Sequence, residues 1–289
     1  MTYTHGHGES VLRSHRTRTA QNSAAYLLPH LRPTDRLLDV GSGPGTITAD
    51  LAGLVAEVVA VEISDEAAAL TRDGLAERGV TNAEVLVGDV HALALPDGAV
   101  DVVHAHQVLQ HVGDPVAALG EMARVTRAGG VIGVRDSDYA AFAWYPQLPG
   151  LDHWLALYET AARANGGEPD AGRHLLAWAH AAGLDDVVAT SSTWCFATPE
   201  TRAWWGEMWA DRVTGSALAD QLVREGSASR AELRDVAGAW LAWASDPDGW
   251  ISIPHGELVV RRSWVSAPRA GPAAPGCPPE RTGSGRRSR

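Results

Sequence analysis

The sequence predicts an α/β fold, in which a mostly parallel sheet of seven strands carries helices on both faces. Three observations lead to this prediction. An apolar run at 37–40 enters a glycine-rich turn, and a helical pattern follows it. Further strand-like runs alternate with helical patterns up to residue 136, and such alternation is typical of parallel sheets. A long helical stretch at 198–247 separates the last two strand-like runs, which predicts a helical lid inserted before the final strand.

The glycine turn is the most informative part of the chain. Residues 36–45 read Arg-Leu-Leu-Asp-Val-Gly-Ser-Gly-Pro-Gly, and a helical pattern begins at Thr46. Glycines let the backbone approach a ligand, and a helix N-terminus offers it unpaired N–H groups. We therefore predict a Rossmann-like nucleotide-binding domain. A dinucleotide fold favours Gly or Ala at position 46, whereas this chain has Thr46 there and an acid, Asp39, at the strand end.

Acidic residues also stand at the ends of the next two apolar runs. The run 58–61 is followed by Glu62, and the run 85–90 contains Asp89. A carboxylate after the second strand suits a ribose diol, because it can accept both hydroxyl hydrogens. Strand-end capping is the alternative role for Asp39, Glu62 and Asp89. Their joint placement after three successive strands favours a cofactor site.

These elements, in this order over residues 36–136, resemble the class I S-adenosylmethionine-dependent methyltransferases. The likeness is greatest to the small-molecule branch that includes the quinone-biosynthesis C-methyltransferases, and it extends through the runs 100–112 and 126–134. It implies S-adenosylmethionine as the cofactor, with Glu62 at the ribose and Asp89 at the adenine. The cofactor-binding residues predicted in this way are Asp39, Gly41, Ser42, Gly43, Gly45, Glu62, Ile63, Asp89, Val90, His106 and Gln107.

Two positions depart from that branch. His106 and Gln107 stand where it often has Asn or Ser followed by an aromatic residue, and Ser42 replaces a frequent Cys or Thr. The Ser42 change is harmless. The first departure concerns the side of the site that faces the substrate, so the sequence leaves the acceptor open.

Catalytic candidates follow from the chemistry of methyl transfer. Holding the acceptor in line with the methyl supplies most of the acceleration, and a base is needed only when the acceptor must lose a proton. His106 and His111 lie in the loop where the methyl is expected, and an ordinary imidazole titrates near neutrality. A structural hydrogen bond is the alternative role for His111. Asp136 and Asp138 follow the fifth strand and are further candidates. No carboxylate or thiolate completes a set with the histidines, so no metal is expected.

Composition excludes several classes of function. The net charge of −11 argues against partners whose binding depends on phosphate neutralisation, so neither nucleic acid nor an anionic membrane surface is expected. The chain has no lysine, which excludes Schiff-base chemistry. Two cysteines, Cys195 and Cys277, do not support a disulfide framework. Without an apolar leader or a run of membrane-spanning length, we expect a cytoplasmic protein.

The predicted organisation has three parts. Residues 1–34 form a helical cap with a basic run, 35–265 form the cofactor domain with the lid at about 198–247, and 266–289 form a disordered tail. Helices are expected near 46–54, 65–77 and 115–126, with Ser64 and Asp114 as N-caps. All eleven tryptophans follow residue 143. They either pack the helices onto the sheet or line an aromatic pocket for an apolar or planar acceptor.

The leading hypothesis is a methyltransferase acting on a small apolar or aromatic metabolite at carbon or oxygen. One alternative is an NAD(P)-dependent Rossmann oxidoreductase, which Thr46 and the absence of a catalytic lysine disfavour. Another is a non-catalytic S-adenosylmethionine-binding protein. Nothing in the sequence determines the oligomeric state, for which a homodimer is the working hypothesis.

Overall fold

A computed structural model of the chain describes residues 15–263. The first fourteen residues of the predicted cap, the predicted tail and Cys277 lie outside this range. Within it, eight strands form one sheet. Their bounds are β1 Arg36–Val40, β2 Glu57–Glu62, β3 Ala83–Val87, β4 Val100–His106, β5 Thr126–Ser137, β6 Ala143–Tyr145, β7 Val187–Phe196 and β8 Trp250–Arg261.

The sheet is parallel on one side and antiparallel on the other. The parallel part runs β3, β2, β1, β4, β5, and β8 then pairs antiparallel with β5. The opposite edge of β8 pairs with β7 along ten residues. The short β6 continues beside β8 past the end of β5. The strand order reverses between β1 and β4, and ligands bind above the carboxyl ends of the strands at such a switch point.

Nine α-helices connect and cover the strands within the described range. Their bounds are α1 Ala20–Ser23, α2 Thr46–Ala52, α3 Asp65–Glu77, α4 Pro115–Val125, α5 Pro149–Ala164, α6 Ala171–Ala181, α7 Pro199–Gly215, α8 Ala217–Arg224 and α9 Arg230–Ser245. The predicted N-caps form: the Ser64 hydroxyl accepts from the Ala67 amide, and the Asp114 carboxylate accepts from the Ala117 amide.

The core has three parts. One apolar cluster lies between α4, α6 and one face of the sheet, and a second lies between α2, the N-terminal segment and the other face. The third joins α5 to the three lid helices α7–α9 beyond the sheet. Its centre is aromatic: Trp154 is 1% exposed, and its ring lies edge-on to Trp209 and Trp240 at 4.6 and 4.8 Å. The lid is therefore packed as a fixed part of the fold.

The predicted fold class is confirmed, with one more strand than expected. The additional strand, β6, has three residues, which is too short to produce an alternating pattern in the sequence. The described part of the predicted N-terminal cap holds only a one-turn helix, α1, and a 3-10 turn at Leu28–His30. Pro29 and Pro33 lack the backbone N–H that a continuous helix would need there.

Candidate active site

A large cavity lies above the carboxyl ends of β1, β2 and β4. Its volume is about 820 Å³, and it extends from the glycine turn to the lid helix α7. Of the predicted cofactor and catalytic residues, all but Gly45, Asp136 and Asp138 line it. Those that line it are Asp39, Gly41, Ser42, Gly43, Glu62, Ile63, Asp89, Val90, His106, Gln107 and His111. The structure thus brings together side chains that are up to 72 positions apart in the sequence, from Asp39 to His111.

The glycine turn adopts the backbone conformation that its sequence suggested. Gly41, Gly43 and Gly45 have φ angles of 69°, 56° and 73°, a region that L side chains rarely adopt. A Cβ on Gly41 would lie 2.5 Å from a methyl of Val108 in the loop after β4. A Cβ on Gly45 would lie 3.1 Å from the Thr71 carbonyl oxygen. Gly45 therefore allows close packing of the turn against α3 and lies outside the cavity lining.

Glu62 ends β2 and faces the glycine turn. Its Oε1 accepts a hydrogen bond of 2.5 Å from the Gly43 amide and one of 3.4 Å from the Ser42 hydroxyl. The residue is 8% exposed, and burial raises the pKa of its carboxyl to about 7, opposed by the Gly43 amide. Its carboxylate form is a strong acceptor that a diol could satisfy.

Asp39 is occupied by neighbours inside the protein. Its Oδ2 accepts from the Thr48 hydroxyl at 2.6 Å, and its Oδ1 lies 2.7 Å from Nδ1 of His104. Both Asp39 and His104 are almost fully buried, and both border the cavity. Asp39 thus anchors α2 and β4 to β1. His104 presents Nε2 as a buried atom with no partner among the described residues.

The predicted adenine end is more open. Asp89 accepts from the His91 amide at 2.9 Å and lies 2.6 Å from His91 Nδ1, and these bonds lower the pKa of its carboxyl. Val90 is buried beside it, whereas the Ile63 side chain is 65% exposed. Asp89 is therefore ionised where it borders the cavity, and the apolar Ile63 side chain borders the same cavity.

His106 ends β4 and lines the cavity. It is 5% exposed, and neither ring nitrogen has a hydrogen-bond partner among the described residues. Its ring packs 5.7 Å from that of Trp194. Burial lowers the pKa of His106 well below its usual value, and the charges of Arg18 and Arg135 lower it further. The imidazole is therefore neutral at physiological pH and presents a lone pair to the cavity.

His111 is held in the loop by a directed hydrogen bond. Ser137 donates to Gln110 Oε1 at 2.6 Å, so the Gln110 amide group donates to His111 Nε2 at 3.0 Å. Burial lowers the pKa of His111 to about 3. Asp136 supports the same loop by accepting from the Gln110 amide N–H at 3.1 Å. These contacts favour the structural role for His111.

Asp136 and Asp138 do not border the cavity. Burial raises the pKa of Asp136 to about 7, and its contact with the loop explains its position. Asp138 forms a bidentate ion pair with Arg173 of α6. Neither carboxylate is therefore available to the reaction as a base.

Gln107 links three distant parts of the chain. Arg18 donates to its Oε1 at 2.6 Å, and its amide group donates to His255 Nε2 at 3.0 Å. His255 then donates from Nδ1 to the Ile253 carbonyl at 2.9 Å. Gln107 is the one described non-glycine residue with a positive φ, 56°. Such strained backbone is concentrated at functional sites.

The far end of the cavity is aromatic. Rings from β7, α7 and the segment after β5 line it: Tyr139, Phe142, Trp194, Phe196, Trp204, Trp205 and Trp209. Phe196 stacks on Trp205 at 4.5 Å, and Tyr139 stacks on Phe142 at 4.5 Å. Some tryptophans thus line the cavity, whereas Trp240 and Trp243 are core residues with no exposure.

Sequence reasoning missed two contributors to this end of the cavity. Arg212 of α7 is 4% exposed and lies over Trp209, and Tyr139 lies in a 3-10 turn after β5. The signal for Arg212 is its spacing: it follows Trp205 and Trp209 at seven and three residues, which places all three on one helix face. Tyr139 gave no periodic signal because its turn is only three residues long.

The described residues also bear on two other classes of site. Among residues 15–263, no group of three or more His, Cys, Asp or Glu side chains is arranged to hold a metal ion. In the same range, no helix combines the length and the apolar character needed to cross a bilayer.

The fold and this cavity define a class, the nucleoside-binding α/β enzymes. A family model described as "Methyltransferase domain" matches residues 38–134. An uncharacterized methyltransferase of Schizosaccharomyces pombe, C1B3.06c, is 35% identical over 273 residues, which is 90% of this chain and 96% of that protein. The chain belongs to the class I S-adenosylmethionine-dependent methyltransferase family, and S-adenosylmethionine is its cofactor.

Two further proteins are similar to this chain, the first in about half of its sequence and the second in its fold. A demethylmenaquinone methyltransferase of Beutenbergia cavernae is 33% identical over 141 residues, which is 48% of this chain and 56% of that protein. A Haemonchus contortus phosphoethanolamine N-methyltransferase, solved with S-adenosylhomocysteine, has a TM-score of 0.55 at 14% identity, over 84% of this chain and 53% of that one. At that identity the second likeness concerns the fold alone.

The residues present fit the cofactor. Gly41 and Gly43 have no side chains, so their backbone is accessible from the cavity. A Cβ at Gly41 would require the Val108 side chain to move. Glu62 places a buried carboxylate next to that backbone, and its only hydrogen bonds among the described residues come from the turn and its own strand end. A diol at this point would supply the donors that stabilise the ionised carboxylate.

Proposed function

We propose that this methyltransferase transfers a methyl group to a small apolar or aromatic metabolite, at a carbon or an oxygen atom. The observation that carries the proposal is the shape of the cavity. One space of about 820 Å³ joins the glycine turn to an aromatic compartment formed by Trp194, Phe196, Trp205 and Trp209. Small-molecule sites are typically concave and mostly apolar, with a few polar groups that fix orientation.

The residue roles follow from position. Glu62 and the glycine turn bind one end of the cofactor, and Asp89 with Ile63 and Val90 borders the base. When bound, S-adenosylmethionine supplies an electrophilic methyl group on a sulfonium. The leaving group is a neutral thioether, so no anion is formed. The protein therefore needs to orient the acceptor and exclude water more than to stabilise a leaving group.

His106 is the proposed proton acceptor. It lies between the cofactor half and the aromatic compartment, and its neutral imidazole has a lone pair available. A hydroxyl or an acidic C–H of the acceptor would give its proton to a ring nitrogen of His106. Because burial lowers the pKa of this imidazole, it is a weaker base than an exposed histidine, but it is unprotonated when the acceptor binds. His111 orients the loop instead.

Calorimetric titration with S-adenosylmethionine, S-adenosylhomocysteine and NAD(H) comes first, because it separates methyl transfer from the oxidoreductase alternative. We expect micromolar binding of the two sulfur nucleosides and none of NAD(H). Transfer of labelled methyl is then measured to a panel of phenols and naphthoquinols, beside bulk RNA and a protein lysate.

Recovery of labelled methyl in a phenol or naphthoquinol would support the proposal, provided that Trp205→Ala loses this transfer while its affinity for the cofactor is unchanged. The exposed Trp250, which is 40% accessible and outside the cavity lining, gives the matched control Trp250→Ala. Label in RNA or protein alone would contradict it. Cofactor binding with no transfer to any acceptor would favour the non-catalytic alternative.

A further inference from the structure

We propose that the Asp39–His104 pair binds the ammonium group of the methionyl part of the cofactor, with Nε2 of His104 as the hydrogen-bond acceptor. The inference rests on the proposed function at one point, the placement of Glu62 at the ribose. Asp39 lies in β1 and His104 lies in β4, and both residues border the cavity. The assigned role is binding, so it can be tested without methyl transfer.

The pair is built into the sheet. Asp39 and His104 are register partners in the parallel pairing of β1 with β4, and their side chains are only 3% and 1% exposed. Asp39 Oδ2 accepts from the Thr48 hydroxyl at 2.6 Å, and Asp39 Oδ1 lies 2.7 Å from His104 Nδ1. A carboxylate can only accept, so Nδ1 carries a hydrogen and donates it to Asp39. In the neutral imidazole, Nε2 then carries the lone pair.

Nε2 of His104 lacks the partner that comparable histidines have. It is buried, and none of the described residues forms a hydrogen bond with it. His91 also meets an acid through Nδ1, at 2.6 Å from Asp89 Oδ1, but its Nε2 lies 3.2 Å from the Asp114 carbonyl oxygen. His255 uses both of its nitrogens as well. Buried polar atoms nearly always have a partner, so an unpaired acceptor in a cavity wall indicates a ligand group that donates to it.

The order of the strands places this acceptor at the methionyl end of the cofactor. The parallel strands run β3, β2, β1, β4 and are spaced about 4.8 Å apart. Asp89 follows β3 and is assigned to the base, and Glu62 ends β2 and is assigned to the ribose. The cofactor continues from the ribose to the sulfonium and the methionyl group, so these parts extend toward β1 and β4. The methionyl group ends in one ammonium and one carboxylate, and Asp39 and His104 lie on these two strands.

The charge of the pair favours the ammonium over the carboxylate. A carboxylate and a neutral imidazole together carry one negative charge, and Nε2 offers a lone pair rather than a hydrogen. Burial raises the pKa of Glu62, and the negative charge of Asp39 adds to that increase, so the two acids act on the same part of the cavity. The methionyl carboxylate would be repelled from this part, whereas the ammonium is attracted to it.

The test compares three ligands that differ only at the end of the side chain. S-Adenosylhomocysteine carries both charged groups. Its deaminated analogue, the carboxypropyl thioether of adenosine, carries the carboxylate alone, and its decarboxylated analogue, the aminopropyl thioether, carries the ammonium alone. Dissociation constants are measured by calorimetry with the full chain. We expect the wild type to bind the deaminated analogue about 10- to 100-fold more weakly than S-adenosylhomocysteine, which is the range for a lost hydrogen bond to a charged group.

His104→Asn removes the acceptor and keeps the contact with Asp39, because the asparagine amide nitrogen takes the place of Nδ1 as a donor. This variant should bind S-adenosylhomocysteine and the decarboxylated analogue roughly 10- to 100-fold more weakly. Its dissociation constant for the deaminated analogue should change by less than about threefold, since that ligand has no ammonium to lose. His104→Gln places an amide oxygen near the position of Nε2 and should recover part of the loss.

His91→Asn is the matched control. It changes another histidine that borders the cavity and pairs with an aspartate, but at the end assigned to the base. The ratio of the dissociation constants for the deaminated analogue and S-adenosylhomocysteine should therefore stay at its wild-type value. Thermal melting of each variant shows that it is folded.

Three results would overturn the proposal. The first is a wild type that binds the deaminated analogue as tightly as S-adenosylhomocysteine, which decides the matter even if His104→Asn does not fold. The second is the same effect, or no effect, of His104→Asn on all three ligands. The third is a loss confined to the two ligands that carry a carboxylate, which would mean that His104 donates to that group.

The same titrations separate this inference from the proposed function. Absence of S-adenosylhomocysteine binding in the wild type would count against the cofactor roles proposed for Glu62 and the glycine turn. Binding of S-adenosylhomocysteine with no contribution from the ammonium would count only against the role of the Asp39–His104 pair. Methyl acceptors take no part in these measurements, so the identity of the acceptor does not affect them.

Discussion

Replacing Glu62 by Gln should remove most of the pH dependence of cofactor binding. Burial raises the pKa of this carboxyl from 4.5 to about 7 in the protein without cofactor. Only the carboxylate accepts both hydrogens of a diol, so binding must first remove the proton from any protonated molecule. With a pKa of about 7, the dissociation constant should increase about elevenfold at pH 6 and only about 1.1-fold at pH 8, relative to its plateau.

The assay is calorimetric titration with S-adenosylhomocysteine between pH 5.5 and 8.5. Glu62→Gln should weaken binding at pH 8 by about 1–3 kcal/mol, because a buried hydrogen-bonding set is left incompletely paired. Its affinity should then be nearly constant across the range. Glu57→Gln, in the same strand but with its side chain 46% exposed, should retain the wild-type profile.

Asp136 needs its own control, since burial also raises the pKa of its carboxyl to about 7. Asp136→Asn should keep the acid-side loss of affinity if Glu62 causes it. The reasoning would be refuted by a wild-type affinity that is constant from pH 5.5 to 8.5. It would also be refuted if the affinity of Glu62→Gln for S-adenosylhomocysteine still decreased about elevenfold at pH 6.

The same carboxyl affects folding. Between pH 4.5 and about 7, the folded state without cofactor binds a proton at Glu62 that the unfolded state has released. The free energy of unfolding should therefore decrease as pH rises through this window, by about 3 kcal/mol from this group. Chemical denaturation at pH 5 and pH 8 measures the difference. Glu62→Gln should reduce it, and an unchanged difference in that variant would contradict the assignment.

Three more predictions concern the turn, the base and the core. His106→Ala should lower turnover about 10²- to 10⁴-fold while changing cofactor affinity little, and equal losses in both would exclude its role as base. Gly41→Ala should abolish cofactor binding and lower the melting temperature because its φ is 69°, whereas Gly120→Ala, with open space around it, should not lower it. Trp154→Ala should cost about 3–5 kcal/mol of stability by denaturation, whereas Trp250→Ala should cost under 1 kcal/mol, since Trp250 is 40% exposed.

Much of the cofactor half could be predicted because its signals are local in the sequence. Glycines next to an apolar strand predict the turn at 41–45, and runs of consecutive β-branched residues predict the strands. Parallel strands end at one edge of a sheet, so Asp39, Glu62 and Asp89 line the same cavity there. Predicted and observed bounds accordingly agree within a few residues, as for the helix at 65–77.

What the sequence did not reveal depends on contacts between distant segments. The Asp39 carboxylate hydrogen-bonds to His104 and Thr48. These contacts depend on the pairing of β1 with β4 and on the position of α2. The link from Arg18 through Gln107 to His255 joins residues up to 237 positions apart, and no periodicity reports such a contact. The lowered pKa of His106 is likewise a product of burial, which a loop sequence does not disclose.

The lid leaves and re-enters the fold at almost the same point. Phe196 at the end of β7 pairs with Ile251 near the start of β8, so helices α7–α9 form an excursion between two adjacent strands. Their exchange for a segment of different length would leave the register of every other strand intact. Phe196 and Ile251 mark the two ends of this excursion, and any replacement for it would have to cover the same buried face of α5 around Trp154.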